Sequence, residues 1–290
     1  MDRSRPVVSI GMPVYNGEKY IRDALDSLLG QSFADFELII SDNASTDATE
    51  SICRNYAEQD QRIRYIRQQK NLGALPNFQF VLNEACGEYF MWAACDDKWD
   101  RDWVESLKSA LENSGVGAAF GRLMHIDEVS QLLRHPANGR TFKFRGGSLR
   151  RRIKYFIEFE RYGKANPIYS LFRRSVLRDI ELAAYHVDFH IVFDLLLKTE
   201  IISVPNTVLY KRVHATSEGS RSGDSLGTAL RRWSYLLMPL DIGFTWGYFR
   251  QGKVVENCLF LICLPVKFIL GYAFYLKSMA LKARLNLFGF

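Results

Sequence analysis

Tyr89-Phe90-Met91-Trp92-Ala93-Ala94-Cys95-Asp96-Asp97-Lys98-Trp99 decides how this chain is read. An apolar run of strand length stops at two adjacent carboxylates, with a tryptophan just beyond. Apolar runs of this length read as buried strands. A carboxylate cannot stay buried and unpaired without a large desolvation cost. Asp96 and Asp97 are therefore expected where a central strand emerges, in the crevice where open α/β sheets bind ligands. Two oxygen donors at a strand end suit a hard divalent cation.

The flanking sequence repeats one pattern. Val7–Ile10 is β-rich and runs into the turn residues Gly11–Gly17, and Glu18–Leu29 carries apolar residues at helical spacing. Glu37–Ile40 reads as a second buried strand ending in Ser41-Asp42-Asn43-Ala44-Ser45-Thr46-Asp47, where Asp47 or Thr46 can cap a second helix. Ile63–Ile66 alternates as a strand, and Asn71-Leu72-Gly73 makes a turn. Phe78, Val81, Leu82 and Ala85 form a helical stripe that Gly87 is expected to close. A helix around Trp103–Leu111 and a strand at Val116–Phe120 follow the carboxylates. This spacing predicts an α/β fold with a mostly parallel sheet and helices on both faces. Later, a helix starts near Asp188. Two edge strands, Ile201–Val204 and Thr207–Tyr210, bracket Pro205, and Ser217–Gly227 reads as a linker.

In this order, Pro13-Val14-Tyr15-Asn16-Gly17, Ser41–Asp47, Asn71-Leu72-Gly73, Gly87-Glu88-Tyr89, Asp96-Asp97 and Val213-His214 resemble the family 2 glycosyltransferases of the GT-A fold, over roughly residues 5 to 216. The resemblance implies transfer of a sugar, with inversion, from a nucleoside-diphosphate donor to a saccharide or lipid-linked saccharide acceptor in cell-surface polysaccharide synthesis. By position it implies that Pro13, Tyr15 and Asn71 belong to the nucleotide pocket and that Asp42 hydrogen-bonds the nucleobase. Asp96 would face ribose or sugar. Asp97 would coordinate a divalent cation, Mg²⁺ or Mn²⁺, and His214 would reach the metal or the diphosphate. Asp188 would be the base, with Asp194 and Glu181 as rivals. The pattern departs from the family at Asn43 and Ala94, where many members carry aspartates. That departure leaves open a non-catalytic nucleotide-sugar-binding or scaffold subunit.

The chemistry accounts for these residue types. A departing nucleoside diphosphate gathers negative charge, which a cation stabilises without proton transfer. One positioned carboxylate can take the proton of the acceptor hydroxyl, an effect worth roughly 10²–10⁴-fold. Ordinary structural readings stand beside these. Asp96, Asp97 and Asp188 are also helix-cap residues, Asp42 fits an Asx turn, and His214 fits a strand-end histidine. The missing GxGxxG after the first strand argues against a dinucleotide enzyme.

Of 290 residues, 48% are apolar, ample for one core. Five cysteines without a CxxC pair point to a reducing compartment, and the start lacks the apolar run of a secretory signal. The net charge of +6 lies entirely in the stretch from Leu226 to Phe290. With the resemblance ending near residue 216 and a linker following, residues 1–222 are expected to form the GT-A glycosyltransferase domain and 223–290 a helical tail. The partner expected of that tail is an anionic membrane surface rather than nucleic acid. Val254–Leu276 would be about 34 Å long as a helix, but Lys267 near its centre would cost about 2.5–3.5 kcal/mol in a bilayer. In-plane helices or a shallow hairpin kinked at Pro265 fit better, with Trp233, Tyr235, Trp246 and Tyr248 at the interface. Packing on the catalytic domain, or on a second copy in a homo-oligomer, is the alternative. Because nucleotide sugars are cytosolic, the expected location is the cytoplasmic face of the membrane, peripheral or monotopic. Arg140–Lys154, with seven basic residues and no acid, reads as a solvated loop and helix start, or else as an anion-binding edge for a phosphate-bearing acceptor.

Overall fold

The computed structural model describes residues 5–158, 163–182, 188–214 and 248–287. At its centre is β1 (Val8–Val14), buried at every position. It runs parallel to β2 (Phe36–Asp42) on one side and to β4 (Tyr89–Trp92) on the other, and β3 (Ile63–Arg67) adds outside β2. β1, β2 and β4 read as largely apolar runs because helices cover both faces, whereas β3 at the edge alternates. α1 (Ile21–Leu29) turns Ile21, Ala24, Leu25 and Leu28 inward, and α2 (Thr49–Gln59) buries Ile52 and Cys53. α3 (Ala74–Glu84) buries Val81 and Leu82, and α4 (Trp103–Ser114) buries Trp103, Val104, Leu107 and Leu111. β1 extends past the predicted turn, with Pro13 inside it. Gly11 bonds toward β4, so Pro13 faces the same side, where β4 pairing has already ended at Gly11–Trp92. Its missing N–H therefore breaks no ladder bond.

The strand order is β3-β2-β1-β4, then β8 (Leu171–Arg173), β6 (Ala118–Ile126), β9 (Ile201–Arg212) and β5 (Lys98–Trp99), with β7 (Arg140–Thr141) on β6. The sheet is mixed rather than mostly parallel. β8 sits antiparallel between β4 and β6, β7 pairs antiparallel with β6, and β5 pairs antiparallel with β9. Apolar periodicity reports that a strand exists, not its direction, so only the βαβ half was legible. The two edge strands expected around Pro205 are one strand, β9, lying between β6 and β5. Its register on β6 slips between Phe120 and Arg122, and Pro205 occupies that irregularity. Gly87 does not close α3 in a left-handed turn. A Cβ there would meet the Ser9 backbone nitrogen at 2.7 Å, so glycine is required by close approach.

The tail docks onto this domain. α7 (Val254–Leu287) is continuous through Pro265, so the expected hairpin does not form. No described helix is long and apolar enough to cross a membrane. α7 packs against α5 (Ser148–Ile157) through Phe156 stacked on Phe260 at 4.4 Å. Tyr248, expected at a membrane interface, is buried between Phe156 and Phe193 of α6 (Asp188–Lys198). Trp233, Tyr235, Trp246 and the Ser217–Gly227 linker lie outside the described residues. Lys267, read above as a cost in a bilayer, is buried and donates to the Phe156 carbonyl at 2.9 Å. The basic run Arg140–Lys154 is largely structural. Arg152 is fully buried against Glu256 at 2.6 Å and Asp194 at 3.4 Å, and Arg151 donates to the Leu196 carbonyl at the end of α6. Arg140 pairs with Glu158, and Arg145 with Glu200 at 3.0 Å.

Candidate active site

The C-terminal ends of β1, β2 and β4 converge on one edge, with β1 in the middle. At the end of β2, Asp42 is wholly buried. Its carboxylate accepts from the Ser45 backbone N–H at 2.8 Å, the Tyr65 hydroxyl at 2.7 Å and Arg67 at 2.9 Å. Burial works against its charge, but Ser45, Tyr65 and Arg67 outweigh it and hold the carboxyl below its ordinary value. Asp42 is therefore not open to a nucleobase as expected. It is the hub that fixes the turn after β2, where Ala44 adopts a left-handed φ of 60°.

Asn43 explains one departure from the family pattern. Its amide nitrogen donates to Asn71 Oδ1 at 2.9 Å and to the Gly73 carbonyl at 3.1 Å, while its oxygen accepts from Leu72 N–H at 2.8 Å. An aspartate could accept but not donate here. The clamp fixes the 71–73 turn and leaves Asn71 exposed beside it. At the end of β1, Pro13 is buried, Tyr15 projects with 47% exposure, and Asn16 accepts from Thr46 N–H at 2.8 Å, tying the first loop to the second.

Asp96 and Asp97 lie in the connection from β4 to β5, and their environments differ. Asp97 is fully buried. It accepts from Lys211 Nζ at 3.0 Å and from the Arg212 backbone N–H at 3.0 Å. Burial pushes its carboxyl up to about 6, with Lys211 opposing and Asp96 adding. Asp96 keeps about a fifth of its side chain exposed and meets His214 Nε2 at 2.9 Å, the imidazole resting 4.8 Å from the Tyr20 ring. The accessible carboxylate is therefore Asp96. The expectation that Asp97 meets a cation directly does not fit its full burial, with one hydrogen bond already on each oxygen.

Arg212, 1% exposed, holds this connection in place. Its guanidinium donates to the Asp96 carbonyl at 2.9 Å, the Asp127 carbonyl at 2.9 Å and Asp23 at 2.7 Å. Lys211 sits 5.0 Å over the Tyr169 ring. Burial works against its ammonium, but Asp97, Tyr169 and Asp96 outweigh it and hold the charge well above its ordinary range. Burial raises Tyr169, with Lys211 opposing and Asp97, Asp188 and Asp96 adding, so the phenol stays protonated. Asp188, the first residue of α6 and half-buried, is thus one of the three acids whose charge acts on the Tyr169 phenol. Its own carboxylate accepts from the Phe189 N–H at 2.9 Å. The rival bases point elsewhere: Asp194 meets Arg152, and Glu181 lines a cleft of about 1120 Å³ with Arg5, Arg173, Arg174 and Arg178. That cleft opens at the starts of β1 and β4, the opposite end of the sheet.

No cluster of three or more His, Cys, Asp or Glu groups gathers among the described residues. Mg²⁺-type sites use one or two carboxylates plus phosphate oxygens. At the rim, Asp96 offers one such carboxylate, with the His214 imidazole beside it at 2.9 Å. Lys211, Arg212 and Tyr169 escaped the sequence reading, and Asn43 was singled out there only as a departure from the family pattern. Only the adjacency of Lys211-Arg212 to Val213-His214 hinted at two of them.

The family model for glycosyl transferase family 2 matches residues 9–181, more than half of the chain. The chain belongs to glycosyl transferase family 2. It is 37% identical over 115 residues to the Bacillus subtilis glycosyltransferase TuaG, whose name assigns it to teichuronic acid biosynthesis. That match covers 39% of this chain and 46% of the relative. It is 33% identical over 121 residues to the glycosyltransferase GlyA of Streptococcus pneumoniae, covering 42% of this chain and 17% of GlyA. The chain thus spans less than half the length of these curated relatives. Among solved structures, S. aureus TarS 1–349 in complex with UDP-GlcNAc superposes with a TM-score of 0.59 at 18% identity, covering 89% of this chain and 79% of that one. The Pyrobaculum calidifontis mannosyltransferase PcManGT, in complex with GDP-Man and Mn²⁺, gives 0.53 at 17% identity, covering 98% and 88%. At these identities the likeness concerns the fold, which is the GT-A-like mixed sheet described above.

Proposed function

We propose that this chain transfers a sugar from a nucleoside-diphosphate donor to a saccharide or lipid-linked acceptor, with inversion, in cell-surface polysaccharide synthesis. The observation that carries the reading is the Asp96–His214 pair at the open rim of the sheet, with the Asp188 carboxyl at the start of α6. Its placement in polysaccharide synthesis is supported by the likeness to a protein named for teichuronic acid biosynthesis. TarS with UDP-GlcNAc and PcManGT with GDP-Man and Mn²⁺ share the fold, which supports a nucleotide sugar and a divalent cation here.

In this reading, Tyr15 and Asn71 border the nucleotide, and the Asp42 and Asn43 hubs hold their loops. Asp96 and His214 would hold Mg²⁺ or Mn²⁺, which neutralises charge on the departing diphosphate. Asp97 stands behind Asp96 and is kept in place by Lys211 and the Arg212 backbone. Lys211 adds a fixed positive charge next to the acid pair. Asp188 takes the proton from the acceptor hydroxyl as its oxygen attacks the anomeric carbon, and the carbon–diphosphate bond breaks. One base suffices for a single displacement, hence inversion. Of the two departures behind the scaffold-subunit alternative, Asn43 and Ala94, the first has a structural role that aspartate could not fill.

The test is turnover of a panel of nucleotide sugars with Mg²⁺ or Mn²⁺. Asp188→Asn should retain donor binding by thermal shift and lose transfer, whereas Asp96→Asn should weaken metal-dependent donor binding itself. A folded protein that neither transfers nor hydrolyses any nucleotide sugar would sink the proposal.

A further inference from the structure

α7 departs from an ordinary surface helix, which buries its apolar stripe and exposes its charges: it buries charged side chains beside Phe260 and leaves apolar ones outside. Its charged Glu256 and Lys267 turn into the domain, at 5% and 0% exposure, and are satisfied there by Arg152 and by the Phe156 carbonyl. Its outer face presents Val254, Leu261, Ile262, Val266, Ile269 and Leu276, with Val254 80% and Ile262 71% exposed. Apart from the adjacent Leu261 and Ile262 they are spaced by three, four or seven residues, and they form one stripe about 33 Å long at 1.5 Å per residue. A stripe this long on a protein surface marks a docking face.

Charge decides what covers it. Arg250 and Lys253 are exposed at one end of the stripe, and Lys277, Lys282 and Arg284 follow the other end in sequence. From Arg250 to Phe290 the only acid is Glu256, which is turned inward and paired with Arg152. A second copy docked stripe to stripe, parallel or antiparallel, would set basic end against basic end. An anionic bilayer surface complements both ends at once, each basic group near the surface adding attraction. The helix is not apolar enough to cross, so it lies in the plane of the interface.

We infer that α7 is an in-plane anchor that seats the domain on an anionic lipid surface, with Ile262 and Ile269 in the acyl boundary and the basic ends on the headgroups. The buried Arg152–Glu256 pair and Lys267 fix the roll of the helix, so the apolar face cannot turn back into the domain. This inference does not depend on the transfer chemistry.

The test is co-sedimentation of the full chain with phosphatidylcholine vesicles, with and without phosphatidylglycerol. The expected result is binding to the anionic vesicles at least about tenfold tighter than to the neutral ones, weakening with salt. Ile262→Ser with Ile269→Ser should abolish it, and Arg250→Glu with Lys253→Glu should weaken it. These side chains are exposed, so melting temperatures should stay at the wild-type value and report an intact fold. Three results would overturn the inference. One is no sedimentation with anionic vesicles. Another is equal binding to both vesicle types. The third is a lipid-free dimer, seen by analytical ultracentrifugation, that the isoleucine substitutions dissolve.

Discussion

Lys211→Met is the most informative single change. The ammonium lies 3.0 Å from Asp97 Oδ2; Asp97 is fully buried, while the lysine side chain keeps 27% exposure. Breaking a buried ion pair by removing one partner costs about 3–5 kcal/mol. Three features bring the expected loss down to about 2–3 kcal/mol, the first being partial exposure, which screens the pair. Asp97 retains the Arg212 backbone N–H at 3.0 Å. Its carboxyl, already pushed to about 6, can also escape by protonating once Lys211 is gone. The measurement is urea unfolding at neutral pH with an unchanged denaturant slope, so that the midpoint shift reports stability. Lys211→Met combined with Asp97→Asn should lose clearly less than the two single changes summed, since the uncompensated charge is gone. A Lys211→Met protein within about 0.5 kcal/mol of wild type, or strict additivity in the double variant, would refute the view that Lys211 holds Asp97. Donor turnover gives a second readout: Lys211→Met should lower it even where the protein remains folded.

Three further outcomes are expected. Arg152→Met strands Glu256 in the core beneath α7 and should cost about 3–5 kcal/mol in chemical denaturation, a loss that adding Glu256→Gln partly restores. Gly87→Ala forces a Cβ to 2.7 Å from the Ser9 backbone nitrogen and should lower stability by about 1–3 kcal/mol, visible as a fall in melting temperature. Burial, with His135 stacked at 3.7 Å, depresses His125 from an ordinary 6.5 to about 4. The unfolded chain then binds the extra proton, so this contribution is complete above pH 6.5 and is lost as pH falls toward 4. Between pH 7 and 4, His125→Gln should therefore lose less stability than wild type.

The first half of the sheet was legible because β1 to β4 and α1 to α4 obey local periodicity. Residues such as Ile21, Ala24, Leu25 and Leu28 can share a face only in a helix, and Glu37–Ile40 is too short and too apolar for anything but a buried strand. The second half was not. β8 enters antiparallel and β9 runs through Pro205, because pairing partners are chosen across long sequence separations that no local window records. Gly87 shows the same limit: its reason is a neighbour 78 positions away.

At the candidate site, the strand-end acid pair, the late histidine and the acid at the start of α6 could be named from residue type and order. These are chemical identities, carried by the chain itself. Which acid stays open was decided only in three dimensions. Asp96 and Asp97 are adjacent and identical in sequence, yet β9 delivers Lys211 and the Arg212 N–H to one and His214 to the other. Likewise, the basic and apolar character of the tail was plain in the sequence, but the inward roll of Glu256 and Lys267 was not. That orientation follows from Arg152 and Phe156 on α5, more than a hundred residues away, and it alone makes the apolar stripe face outward. Residue type determines which chemistry is available, while burial, and hence which charge is paired and which is left for a ligand, is a property of the assembled core.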